Sequence, residues 1–191
     1  MPETPSTMLP LGTPLPAFSL PDFNGRTHSD QELRQTPALL VAFLCPHCPF
    51  VRHIRHELAR VASEYRGRGL EVVGINSNVA SHPDDDVAGM KREAEAAGYA
   101  FPYLADESQS VAKLFQAACT PDFFLFGPDR RLVYRGQFDD SRPSRDTPVT
   151  GTSVREAVDA LIAGREMPAV QRPSVGCNIK WKGGTVPDFA G

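Results

Sequence analysis

The sequence predicts one α/β domain, with a mixed central sheet flanked by helices, an N-terminal hairpin extension and an inserted strand–helix unit. Three observations carry that prediction. Ala38-Leu39-Leu40-Val41-Ala42-Phe43-Leu44 is a continuous apolar run, the pattern of a strand buried on both faces. Just beyond it, Val51, Ile54, Leu58, Val61, Ala62 and Tyr65 recur at helical spacing, and Gly67 and Gly69 end the stripe. Strands and helices then alternate up to a strand–turn–strand, so parallel and antiparallel neighbours must share one sheet.

Taken in order, residues 1–16 read as a Pro-rich extended arm. Ala17–Leu20 reads as a short strand, and Asn24-Gly25 supplies a hairpin turn. Ser29–Arg34 suggests one helical turn before the buried strand. Leu70–Ile75 is a second buried strand, and Asp84–Ala97 a helix whose acidic start suits the positive end of its dipole. Phe101–Leu104 reads as a strand and Ser108–Phe115 as a helix. Asp122–Phe126, the turn Gly127-Pro128-Asp129-Arg130 and Leu132–Arg135 form a hairpin. A capping box, Ser153-x-x-Glu156, opens the last helix, which closes near Gly164. Residues 17–166 thus form the domain, and 167–191 an irregular C-terminal tail packed on it. No internal repeat or linker divides the chain.

Bulk properties narrow the function. At 191 residues, 41% of them hydrophobic, the chain has enough apolar surface for a full core. A formal net charge of −3 speaks against nucleic acid as a partner, because phosphate binding needs a basic surface. The longest apolar run is too short to cross a bilayer, so no membrane association is expected. No Lys or Arg precedes Arg26, and prolines interrupt every apolar stretch before it, unlike a secretory signal. The expected address is therefore cytoplasmic. In that compartment four cysteines point to catalysis, metal binding or simple burial rather than a disulfide framework.

Cys45-Pro46-His47-Cys48 carries the chemistry, lying between the buried strand and the amphipathic helix. A cysteine at a helix start meets unsatisfied N–H groups and the positive dipole end, which stabilise its thiolate. A second cysteine three residues on is placed to attack a mixed disulfide and release the substrate. Pro49 lacks an N–H, so the regular helix is expected to begin there with Cys48 near the N-cap. Two rival readings, inert core thiols or half a zinc site, stay open but weaker: a structural zinc site needs four ligands, there is no second Cys-x-x-Cys, and His53 and His56 lie off the apolar stripe. Pro49 also stands where haem attachment needs His.

Strand, Cys-x-x-Cys and helix together resemble the thioredoxin superfamily, and the Pro-His pair resembles the disulfide oxidants of the bacterial periplasm. That resemblance implies that His47 favours a Cys45 thiolate, with Arg52 and Arg55 adding positive field. It further implies that Thr120-Pro121 is the cis-proline site, with Thr120 offering backbone groups to an extended substrate. The hairpin and the inserted unit around 70–97 are similar to the redoxin branch, which includes alkyl-hydroperoxide-reductase-like and membrane-anchored thioredoxin-like proteins. Cys-Pro-His-Cys-Pro-Phe-Val, Cys-Thr-Pro-Asp-Phe-Phe-Leu-Phe and Gly-Cys-Asn-Ile-Lys-Trp-Lys resemble a group of bacterial thioredoxin-like proteins of largely unassigned substrate, over roughly residues 15–183. Two departures stand out. Only Leu44 separates Phe43 from Cys45, and the acid that thioredoxins bury on this strand has no counterpart in 38–44. The peroxidatic motif is absent too, since Ala38 and Ala42 occupy its Pro and Thr/Ser positions.

The implied function is thiol–disulfide exchange without a cofactor or metal. Cys45 and Cys48 would be the catalytic pair, and Pro46, His47, Thr120 and Pro121 would support them. The partners implied are a protein or small-molecule disulfide or dithiol and an upstream redox partner. Cys119 and Cys177 are possible auxiliary thiols: Cys119 reads equally as a buried hydrophobe, Cys177 as a packing anchor with Trp181 or a second resolving thiol. Copper or zinc binding through Cys45, Cys48 and a nearby His, a thiol sensor or peroxidase-like protein, and a non-catalytic interaction module remain as alternatives. The direction of electron flow stays open, because the Pro-His pair suggests an oxidant and the address a reductant or sensor.

Overall fold

The computed structural model describes residues 3–183 and 186–190, so the outermost positions of the arm and tail lie outside the described residues. Its strands are β1 (Glu3–Pro5), β2 (Ser19–Pro21), β3 (Thr27–Ser29), β4 (Ala38–Phe43), β5 (Leu70–Asn76), β6 (Tyr103–Ala105), β7 (Cys119–Thr120), β8 (Asp122–Phe126), β9 (Leu132–Gly136) and β10 (Val175–Asn178). The helices are α1 (Pro49–Arg66), α2 (Val87–Ala97), α3 (Ser110–Leu114) and α4 (Thr152–Ile162), with short 3-10 turns at Glu32–Gln35 and Pro83–Asp85.

The central sheet has the order β6-β5-β4-β8-β9. β4 runs parallel to β5 and antiparallel to β8, which makes the sheet mixed. Every residue of β4 is buried because both faces are covered. On one face Ala38, Leu40, Ala42 and Leu44 meet α1, α2 and α4; on the other Leu39, Val41 and Phe43 meet α3, the arm and the hairpin. Phe43, Phe115 and Phe124 interlock edge-to-face there, with centroids 5.3–5.8 Å apart. The stripe of α1 matches the sequence reading, since Val51, Ile54, Leu58, Val61, Ala62 and Tyr65 are its buried residues. This is a thioredoxin-like fold with N-terminal extensions.

Some local expectations need correction. The 84–97 segment is not one helix: a 3-10 turn ends at Asp85, and Asp86 caps α2 by accepting from the Gly89 N–H at 2.6 Å. The helix read over 108–115 shortens to Ser110–Leu114. No capping box forms at α4, because the helix starts two residues early and its N-cap is Gly151, at φ +65°. The buried Asp139 carboxylate instead accepts from the Thr150 and Gly151 N–H groups, each at 2.7 Å. A distant side chain thus replaces the local device.

The arm and tail are not structureless. β1 pairs with β10, and β10 with β7, in a three-stranded antiparallel sheet. This second sheet lies just before β8, so the arm strand and the tail strand come together beside the cysteine motif.

Candidate active site

In a parallel βαβ unit the segments that follow adjacent strands emerge at the same sheet edge, the usual place for a site in an open α/β sheet. Here the cysteine turn follows β4, and the segment with Pro83–Asp85 follows β5. The Cys48 N–H donates to the Cys45 carbonyl at 3.3 Å, closing the turn, and α1 then starts at Pro49 with Cys48 as N-cap. The proline fits because a first-turn N–H has no intrahelical partner to lose.

Both sulfurs face Thr120, whose bond to Pro121 is cis. Cys45 Sγ lies 3.1 Å from Thr120 Oγ1, and Cys48 Sγ lies 3.1 Å from the Thr120 carbonyl. Cys48 Sγ is also 3.0 Å from Cys177 Sγ. Cys45, Cys48, Thr120 and Cys177 are all buried, and all four cysteines are free. Cys119 lies apart: its thiol points to the Pro121 carbonyl at 3.7 Å, and burial pushes its pKa well up.

Asp85, read from the sequence only as part of an acidic helix start, completes the site. Fully buried, it accepts from the His47 backbone N–H at 2.9 Å and pairs with His47 Nδ1. His82 stacks on the His47 ring, centroids 4.4 Å apart. Asn76 holds the Asp85 carbonyl at 2.8 Å. The acid missing beneath the dithiol on β4 thus enters from the inserted unit. Burial raises the Asp85 pKa, with His47 opposing. Of the acidic run only Asp86 is the expected helix-start device. The available signal was topological: two parallel strands bring these two loops together.

The three sulfurs share one proton economy. The Cys48 pKa is lowered chiefly by the Cys177 thiol, then by the Cys45 thiol, with the Val51 N–H of the first helical turn also donating. Burial pulls the other way, yet the donors outweigh it. Cys45 is raised, first by its hydrogen bond to Cys48, then by burial and by the charges of Cys48 and Asp85. These directions run against the expected Cys45 thiolate, because the Cys177 and Cys45 thiols both favour a Cys48 thiolate over one on Cys45. Arg52 and Arg55 add little field, since Arg52 is 3.6 Å from Asp84 and Arg55 is 3.1 Å from Glu93. Arg52 Nε also donates to the Pro46 carbonyl at 2.7 Å, which fixes the turn. His56 is exposed, whereas His53 is half-buried beside a small hollow shared with Phe50 and Pro121.

A Cys-x-x-Cys at the start of a helix, facing a cis-proline across a mixed sheet, defines a thioredoxin-like protein. The model of the AhpC/TSA family matches residues 11–135, and the chain belongs to that family, an enzymatically active redoxin family of thiol–disulfide redox chemistry. The chain is similar to a hypothetical protein from Sinorhizobium meliloti, at 52% identity and a TM-score of 0.93, over 95% of this chain and 100% of that one. An uncharacterized conserved protein from Geobacillus kaustophilus is 50% identical, with a TM-score of 0.93, over 96% of this chain and 98% of that one. A peroxidoxin from Mycobacterium tuberculosis shares the fold at 19% identity and a TM-score of 0.62, over 82% of this chain and 98% of that one. Among curated proteins no sequence matches. No helix among the described residues is long and apolar enough to cross a membrane.

Proposed function

We propose that the protein is a thiol–disulfide oxidoreductase in which Cys45 and Cys48 exchange with a protein or small-molecule disulfide. The observation that carries this reading is the pair of sulfurs at the start of α1, each 3.1 Å from Thr120 beside the cis bond. In the reducing direction Cys45 passes its proton to the Cys48 thiolate and attacks a substrate disulfide. A mixed disulfide forms and one substrate thiolate leaves. Cys48 then passes that proton to the departed substrate thiolate and attacks the Cys45 sulfur, the second substrate thiolate leaves, and a Cys45–Cys48 disulfide remains. The dithiol has lost two electrons and the substrate has gained them; the reverse sequence oxidises a substrate dithiol. His47, oriented by Asp85, and Pro46, tied to Arg52, hold the turn, while Thr120 and Pro121 wall the sulfurs.

Peptide mapping without reductant, after equilibration in graded glutathione buffers, tests this reading. A Cys45–Cys48 disulfide that forms reversibly is expected, and its midpoint assigns the direction. Cys45 remaining a thiol across the series would overturn the proposal. A second reading, binding of copper or zinc, rests on one observation: ligand atoms of Cys45, His47 and Asp85 lie within 4.8 Å of one another. Stoichiometric metal in protein purified without chelator would favour it; protein that takes up none on titration would remove it.

A further inference from the structure

The oxidoreductase reading leaves Cys177 unused, and the fold has gone to some length to place it. β10 lies antiparallel to β7 with Cys177 opposite Thr120 and Asn178 opposite Cys119. That is the edge beside the cis-proline which the superfamily resemblance assigns to an extended substrate, and here the protein's own tail is paired there. The approach is close enough to demand glycine: a Cβ on Gly176 would stand 2.0 Å from the Thr120 carbonyl oxygen. Contacts on both sides hold the register. Ser174 Oγ donates to the Pro121 carbonyl at 2.7 Å, and the Ile179 N–H donates to the Ala118 carbonyl at 3.0 Å. Further on, the Lys180 N–H reaches Asn78 Oδ1 at 2.8 Å, and Asn78 in turn donates its N–H to Asn76, the residue that holds Asp85.

Side chains alternate along a strand, so Cys177 falls on the same side as Thr120 and meets the dithiol. Its sulfur is 3.0 Å from Cys48 Sγ, while a disulfide bond is about 2.05 Å, so the two need close by only about 1 Å.

We propose that Cys177 is a third redox thiol, held on Cys48 by a tail strand that occupies the substrate edge as a built-in docked peptide. The step balances within the molecule. In the oxidised protein Cys177 loses its proton and attacks Cys48 Sγ. The Cys48–Cys177 bond forms as the Cys45–Cys48 bond breaks, and Cys45 leaves as thiolate and takes up a proton. No net oxidation occurs: the disulfide moves inward and Cys45 returns to the reduced state with the chain still oxidised. An external peptide strand is excluded from the Thr120 edge, so the partner of Cys45 reaches it by another approach. The proposal rests on the oxidoreductase reading only for the redox role of the dithiol.

The test is to equilibrate Cys45→Ser in graded mixtures of reduced and oxidised glutathione and map its disulfides, with Cys45→Ala as the second variant and circular dichroism to verify folding. A reversible Cys48–Cys177 disulfide is expected in both. In the wild type, Cys48–Cys177 should accompany Cys45–Cys48, and Cys177→Ser should retain only the latter. Folded Cys45 variants in which Cys48 is only glutathionylated or free would overturn the third-thiol role, even with a normal wild-type Cys45–Cys48 bond. The converse result, Cys48–Cys177 without any wild-type Cys45–Cys48, would sink the oxidoreductase reading and the inward transfer with it, and leave Cys48–Cys177 as the redox pair.

Discussion

Cys177 and Cys119 lie on adjacent strands one register step apart, yet one meets sulfur and the other a dry wall. Cys177 is opposite Thr120, and Cys119 opposite Asn178. Because paired residues share a face and neighbours alternate, that single step sends Cys177 toward Cys48 and Cys119 away from it. Both are buried, so burial does not distinguish them. The difference teaches that strand parity, rather than proximity in sequence to the cis-proline, decides which thiol enters the chemistry. Cys119 is two residues from Pro121; Cys177 is at the far end of the chain.

The largest expected effect is on exchange itself. Cys48→Ala should slow turnover of a small aromatic disulfide on the order of 10³-fold or more, because it removes both the resolving sulfur and the proton acceptor for Cys45. Cys119→Ala should leave the rate within about twofold and cost about 1 kcal/mol of stability for the small cavity it opens. The colorimetric rate and a urea midpoint measure the pair. A large loss of rate in a folded Cys119→Ala protein would break the parity argument.

Next in size is the register itself. Gly176→Val forces a side chain against the Thr120 carbonyl, and the tail must shift or lift. The expected cost is about 3 kcal/mol, as for other overpacked contacts, read from the urea midpoint. In a Cys45→Ser background the same change should abolish the Cys48–Cys177 bond. Undiminished formation of that bond would mean that the tail is not what places Cys177.

What was legible in the sequence follows the range of the interactions. β4 and α1 were readable because an uninterrupted apolar run and a helical stripe are local patterns, and the residues that made them are the ones buried. The cysteine turn was readable for the same reason. Asp85 was not, because an acidic residue after Pro83 at a helix start looks like a dipole device, and only the parallel pairing of β4 with β5 brings it to His47. The strand in the tail was hidden too. Val175-Gly176-Cys177-Asn178 is short and contains a glycine that weakens strand propensity, and its partners lie near the N-terminus and at β7. At α4 a plausible local cap lost to Asp139, whose geometry no spacing rule encodes.

The smallest expected effect concerns Asp122, which follows the cis-proline and is opposite Phe43, on the face away from the dithiol. One carboxylate oxygen accepts from the Phe123 N–H at 3.1 Å, and the other has no hydrogen-bond partner among the described residues. Burial therefore pushes its pKa well up, so the folded chain keeps a proton that the unfolded chain releases at about pH 3.9. Its contribution to stability is full below that value and is lost as pH rises through the folded pKa. Asp122→Asn has no proton to release, so its stability relative to the wild type should increase between pH 4 and pH 8, measured by urea unfolding at both. Its exchange rate should keep the wild-type pH profile, because Asp85, not Asp122, shares the dithiol's face. A shifted rate profile would make Asp122 the proton acceptor of the site, and the rule that parity sorts the groups around the cis-proline would fail at the residue next to it.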